Sequence, residues 1–207
     1  MKTRALLLPL VLLPLAAQAA PDLGSAIETL RAGRAPEAAQ MLLDLARAGE
    51  SEAQFNLGLL YAQGIGVPQN DREALYWGWR ARLAGVPAAR ALIDKLADKA
   101  SPALREELVT RIEADLDPRI QSGDGRAMLE RSVLRLDLLP KPDLTGGYVW
   151  QALSAALATP NAAAARDATL ARIDPKDRLA AQDAALQALR DLCAGGMAGH
   201  ALCATLP

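Results

Sequence analysis

The sequence predicts an all-α fold: an α-solenoid of antiparallel helix pairs with roughly ten helices. Three observations predict it. The composition is rich in Ala, Leu, Arg, Glu and Gln, with aromatics at only 3%; this favours helices that approach closely over small side chains and disfavours a sheet. Apolar residues recur at spacings of three and four between glycine and proline breaks. The chain also carries a hidden period. Trp77 and Trp150, Pro87 and Pro160, Asp94 and Asp167, Pro102 and Pro175, and Arg105 and Arg178 are each 73 residues apart.

Residues 1–19 read as a secretory leader. Lys2 and Arg4 precede an apolar, proline-broken run from Leu6 to Leu15, and Ala17-Gln18-Ala19 offers a cleavage site. Cleavage after Ala19 leaves a single domain, residues 20–207, in the periplasm. No cysteine follows the apolar run, so a lipid anchor is not expected, and no later run is long enough to span a membrane. Without Lys2 and Arg4 the mature chain has 21 basic and 24 acidic residues. That balance gives nothing to neutralise phosphates, so nucleic acid is not an expected partner.

The segment 20–48 reads as a helix pair. Asp22 to Ala32 is a short helix, Gly33 to Pro36 a break, and Glu37 to Ala48 a second helix ended by Gly49. Residues 49–121 form a first four-helix unit. In its clearest part, 53–85, Ala53, Leu57, Leu60 and Tyr61 share a face, Gly64 and Gly66 end the helix, and Asn70 or Asp71 caps the next. Ala74, Trp77 and Ala81 follow at helical spacing, and Gly85 closes it. Phe55, Leu59 and Ala62 make a second apolar stripe, read as core. Residues 122–207 form a degenerate second unit. Ser132 stands where Gly58 aligns, Arg135 where Tyr61 does and Leu138 where Gly64 does. A serine at a close helix contact should force the helices apart. Asp117-Pro118 reads as a turn and Asp124 as a cap.

The run Ala53-Gln54-x-Asn56-Leu57-Gly58-x-x-Tyr61-x-x-Gly64-x-Gly66-Val67, followed by Asp71, Ala74, Trp77, Ala81 and Gly85, resembles the Sel-one-like repeat family, relatives of the tetratricopeptide repeat. Residues Glu37 to Gly49 resemble the second helix of a preceding repeat, and Gly147 through Asp167 a last repeat with its trailing helices. The resemblance implies an α-solenoid that mediates protein–protein contacts or assembles complexes, often in bacterial envelopes.

Residues poised for chemistry are scarce. His200 is the only histidine and lies seven positions from the end, where a solvated side chain is expected. Two cysteines and one histidine make no zinc site without a carboxylate, and no metal or cofactor is expected. Gly64-x-Gly66 follows a helix rather than a strand and lacks a third glycine, so it is a helix stop and not a phosphate loop. Asp115, Asp117 and Asp124 fail the spacing of a calcium loop. Glu106, Glu107 and Glu113 with Arg105 and Arg111 read as a solvated, salt-bridged face. Cys193 and Cys203, an even pair in an exported chain with Gly195, Gly196 and Gly199 between them, invite a disulfide; two unpaired thiols are the alternative.

Trp77 and Trp79 cannot point the same way on one helix. With Trp77 in the core, Trp79 is the freer, and Tyr76 and Arg80 flank it. Tyr, Trp and Arg anchor interfaces, so Tyr76, Trp79 and Arg80 are the expected partner site. The competing reading packs Trp79 on a loop or the next helix. The expectation is a non-enzymatic periplasmic scaffold, adaptor or regulator with protein partners in the cell envelope. A peptidoglycan- or polysaccharide-binding role is the alternative, and a β-lactam-acting enzyme the remotest.

Overall fold

The computed structural model describes residues 22–206. The expected secretory leader and its expected cleavage point lie outside the described residues. Within them are ten α-helices and no strand: α1 (Leu23–Arg31), α2 (Ala35–Arg47), α3 (Ser51–Gln63), α4 (Asp71–Leu83), α5 (Ala89–Leu96), α6 (Pro102–Gln121), α7 (Gly125–Val133), α8 (Leu144–Ala156), α9 (Ala162–Arg172) and α10 (Arg178–Ala194). None is long and apolar enough to cross a membrane. Consecutive helices pack on each other from α1 to α5 and from α6 to α9, while α10 returns onto α8.

Five helix pairs alternate with one kind of turn. After α2, α4, α6 and α8 the chain enters the left-handed region, at Gly49 (φ +95), Gly85 (+98), Gly123 (+84) and Ala158 (+56). The next amide then reaches back five residues to close the helix: Glu50 to Leu45 (3.0 Å), Val86 to Ala81 (2.9 Å), Asp124 to Arg119 (3.0 Å) and Thr159 to Ser154 (3.1 Å). This pairing satisfies carbonyls that a helix end leaves orphaned. Three turns use glycine, which adopts positive φ freely; the fourth forces alanine into it.

The 73-residue period is visible in the elements. α4 and α8 are both 13 residues long and start at Asp71 and Leu144; α5 and α9 start at Ala89 and Ala162; α6 and α10 end at Gln121 and Ala194. The arginine of the period does one job in both copies. Arg105 donates from Nε to the Ala100 carbonyl (3.1 Å) and from Nη2 to that of Ala97 (3.4 Å). Arg178 donates to Ile173 (3.1 Å) and Ala171 (3.3 Å). Each guanidinium thus satisfies the last carbonyls after α5 or α9, where a cation also suits the helix dipole.

The core follows the pattern of small and branched residues. Leu42, Leu57, Leu75, Leu108, Ile112, Ile120, Met128 and Leu134 are wholly buried. Gly58 and Gly78 let α3 and α4 touch backbone to backbone; a Cβ on Gly58 would stand 3.3 Å from the Gly78 nitrogen. Gly66 seats its turn on the start of α2, and a Cβ there would collide with the Ala35 carbonyl oxygen.

Three expectations need correction. Ser132 does not part the helices: it is wholly buried, folds its hydroxyl onto the Leu129 carbonyl (2.7 Å), and α7 still packs along α8. The close approach has moved to Gly147, whose missing Cβ makes room for Leu136 at 2.6 Å. α7, with Leu138 where Gly64 aligns in α3, ends in a π-helical turn, Leu134–Leu138. Asp117-Pro118 is no turn: α6 runs through it, and Ala114, whose carbonyl loses its donor, is exposed to water. His200 is not free; its Nδ1 accepts from the Leu202 amide (3.1 Å) to cap a final 3-10 turn, Ala201–Thr205.

Cys193 and Cys203 are bonded, with Cα atoms 5.6 Å apart. The bridge ties that last turn to the end of α10. Beside it the Gly196 amide donates to Gln121 Oε1 (3.0 Å), and His200 lies against Gly123. The terminal loop therefore packs on the turn between α6 and α7.

Candidate interaction groove

Of the three residues expected to face a partner, two are buried: Tyr76 is 5% exposed and Trp79 only 3%. The expectation that Trp79 is the freer tryptophan is corrected on this point. The reason lies in charged side chains from helices distant in sequence. Arg111 of α6 covers the Tyr76 ring at 3.5 Å while holding Glu73 in a two-pronged pair (2.5 and 3.1 Å). The Tyr76 hydroxyl donates to Asp115 (2.5 Å), which also accepts from Arg80 (2.6 Å). Burial, then the bond to Asp115, pushes the phenol above its ordinary range despite Arg80 and Arg111. Tyr76 is a neutral structural strut.

Trp79 is covered differently. Arg82, one turn on, lies over its ring at 4.5 Å and is held there by Asp137 (2.5 Å) in the π-helical turn. The indole still forms part of a wall. A hollow of about 450 Å³ is bounded by Leu75, Trp79 and Arg82 on α4, Ile93 on α5, and Leu136 to Leu138. A second, of about 380 Å³, shares Arg82 and Asp137 with it and adds Leu83, Leu129 and Val133. A third, of about 410 Å³, shares Leu83, Arg126 and Glu130 with the second and reaches Gln54 and Arg80. The three adjoin along the seam between α4 and α7 and make one groove. Trp79 and Arg80 lie in its walls; Tyr76 does not.

Gln54 is 2% exposed, donates to the Ala46 carbonyl (3.2 Å), and leaves its Oε1 without a protein donor. Behind the groove, α6 carries an ion ladder between helices, not along one. Glu113 holds Arg135 (2.9 Å), Asp117 holds Arg131, and Glu130 with Asp124 holds Arg119 (2.8 and 2.7 Å). The expected solvated face of Arg111 and Glu113 is therefore an interhelical one.

Sequence reading missed Arg82, Leu83, Leu129, Val133 and Asp137. Arg82 and Leu83 stand three and four residues after Trp79, so helical spacing could have found them. Asp137 had no local signal, because its place depends on the π-helical turn. The second stripe of α3 is half-buried. Phe55, Leu59 and Ala62 face Ala88, Ala91 and Leu92 across an apolar hollow of about 320 Å³. Among the described residues no cluster of three or more His, Cys, Asp or Glu side chains could hold a metal ion.

Residues 51–81 match the Sel1 repeat. Among solved structures the chain is similar to a protective antigen of uropathogenic Escherichia coli strains, described as displaying an SLR fold. The likeness has 16% identity and a TM-score of 0.35, and covers 81% of this chain and 44% of that one. The chain thus spans under half the length of that protein. No curated protein matches the sequence. The segment is a Sel1 repeat within an all-α array of helix pairs, and repeats of this kind generally mediate protein–protein interactions.

Proposed function

We propose that this Sel1-repeat protein is a non-catalytic scaffold of the periplasm that holds a protein partner in the groove between α4 and α7. The observation that carries the reading is the groove itself: three adjoining hollows, walled by Trp79, Leu83, Leu129 and Val133 and rimmed by arginines and carboxylates. An apolar floor with a polar rim is the anatomy of a protein interface. The leader-like residues 1–19 and the bonded cysteine pair favour an oxidising compartment outside the inner membrane. The polysaccharide reading loses support, because Tyr76, Trp77 and Tyr148, which would stack on sugar rings, are buried and do not line the groove.

The test is a photo-activated cross-linking residue placed at Leu129, and separately at Leu179, which is 73% exposed and remote in sequence. Discrete covalent adducts in vivo from Leu129 and none from Leu179 are expected. Adducts from Leu179 alone would move the interface away from this groove. Mass spectrometry of the exported chain should find its first residue at Ala20; a chain beginning at Met1 would overturn the periplasmic reading.

A further inference from the structure

Resting on the reading of the α4–α7 groove as a partner site, we propose that its occupant is an acidic stretch of a protein, and that Arg82 changes hands on binding. It leaves Asp137 for a carboxylate of the partner and uncovers Trp79 as an apolar seat. The groove differs in charge from the rest of the chain. Its walls carry six arginines (Arg80, Arg82, Arg90, Arg105, Arg119 and Arg126) against four carboxylates, Asp94, Asp115, Glu130 and Asp137. The mature chain as a whole has fewer basic than acidic residues, 21 against 24. A cationic hollow in an anionic protein concentrates field where walls exclude water, and steers anionic segments to it.

Two arginines at the mouth, Arg90 and Arg126, are loosely held, and Arg82 has a single carboxylate partner that is itself half open to water. Arg82 and Asp137 have side chains 24% and 46% exposed. Arg126 is 63% exposed and meets Glu130 only at 3.4 Å, while Arg90 meets Asp94 at 3.6 Å with both at least 65% exposed. Exposed pairs of this kind contribute little to folding, so a partner carboxylate can replace the internal one, with Asp137, 46% exposed, passing to water. Arg111 and Arg131, by contrast, each make two hydrogen bonds, Arg111 to both oxygens of Glu73 and Arg131 to Asp117 and the Glu113 carbonyl. Arg82 has one further property: it is the side chain that covers Trp79. Once it turns toward a partner, an indole bordered by Ile93, Leu136 and Leu138 becomes available to an apolar side chain. At the other end Gln54 Oε1, buried and without a donor, can accept a backbone N–H of the same segment.

The experiment selects binders for the purified chain from a random decapeptide library displayed on phage. Enriched peptides should combine Asp or Glu with apolar residues, carry net negative charge, and weaken as salt rises. Arg82→Gln should weaken them about fivefold and Arg126→Gln about threefold. Asp137→Asn should strengthen them about threefold, because the competing carboxylate is gone. Melting curves of each variant confirm that it is folded. Enriched peptides without an acidic excess overturn the proposal, as does a shift in the same direction for Arg82→Gln and Asp137→Asn. Failure to enrich any peptide overturns it too, while cross-linking from Leu129 would still stand for the groove itself. Acidic peptides indifferent to Leu129→Gln bind elsewhere and also overturn it.

Discussion

Ala158 is the residue at which the array is strained. It holds φ +56 where the turns after α2, α4 and α6 place Gly49, Gly85 and Gly123. A Cβ in that region costs about 1 kcal/mol, partly offset by glycine's greater freedom when unfolded. Ala158→Gly should therefore raise stability by about 0.5–1 kcal/mol, read as a higher urea midpoint with an unchanged slope. Gly66 makes the opposite case. Its φ of +70 and the carbonyl of Ala35 leave no place for a side chain. Gly66→Ala should cost at least about 2 kcal/mol, and an unchanged midpoint would contradict that contact. Both glycines of the Gly64-x-Gly66 pair were legible as a helix stop. That Gly66 also braces α2 was not, because the contact joins Gly66 to Ala35, far back along the chain. Tyr76 and Trp79 failed as surface residues for the same reason: the arginine that covers Tyr76, and the carboxylate that positions the one over Trp79, come from α6 and from beyond α7.

At the scale of elements, helix ends were well read and helix partners poorly. Asn70 and Asp124 cap α4 and α7 as their side-chain chemistry suggests, each accepting from two backbone amides. The Asp124 carboxyl is partly buried, which alone would raise its pKa. The Ala127 and Arg126 amides and the Arg119 guanidinium outweigh burial and hold it below the ordinary 3.8. A depressed carboxyl stabilises the fold only while ionised. Its contribution is full above the unfolded value near 3.8 and drains away as pH falls below it. Asp124→Asn keeps a capping oxygen without a titrating charge, so acid unfolding of that variant should depend less steeply on pH between about 4 and 2. Asp124→Ala should cost about 1 kcal/mol at neutral pH. The ladder on α6 was legible as charge but not as contact. Spacing along one helix reports neighbours three and four residues away, and Arg111, Glu113 and Asp117 instead find theirs on α4, α7 and the turn beyond α7.

At the scale of the molecule, the period of 73 residues reproduces itself in helix starts and ends, in the equal lengths of α4 and α8, and in the paired roles of Arg105 and Arg178. Its degenerate half holds together by other means than its first half: a buried Ser132, a displaced glycine contact at Gly147, and a π-helical turn. Those substitutions could be seen in the sequence, but their remedies could not, since each depends on a side chain that packs from elsewhere. The bridge between Cys193 and Cys203 spans ten positions. Closing a loop of that size contributes about 2–3 kcal/mol. Denatured, unreduced protein should expose no reactive thiol, and Cys193→Ser should lower stability by about that amount.

The clip is also one-sided. Among the described residues α10 and its last turn are fastened covalently and braced on the α6–α7 turn, whereas α1 is secured by packing on α2. A linear array in which each pair leans on the next opens from its weaker end. Hydrogen exchange should thus advance like a zip in one direction: amides of α1 first, then α2, with the centre of α10 among the last. Reduction of the bridge should let a second front start from the other end.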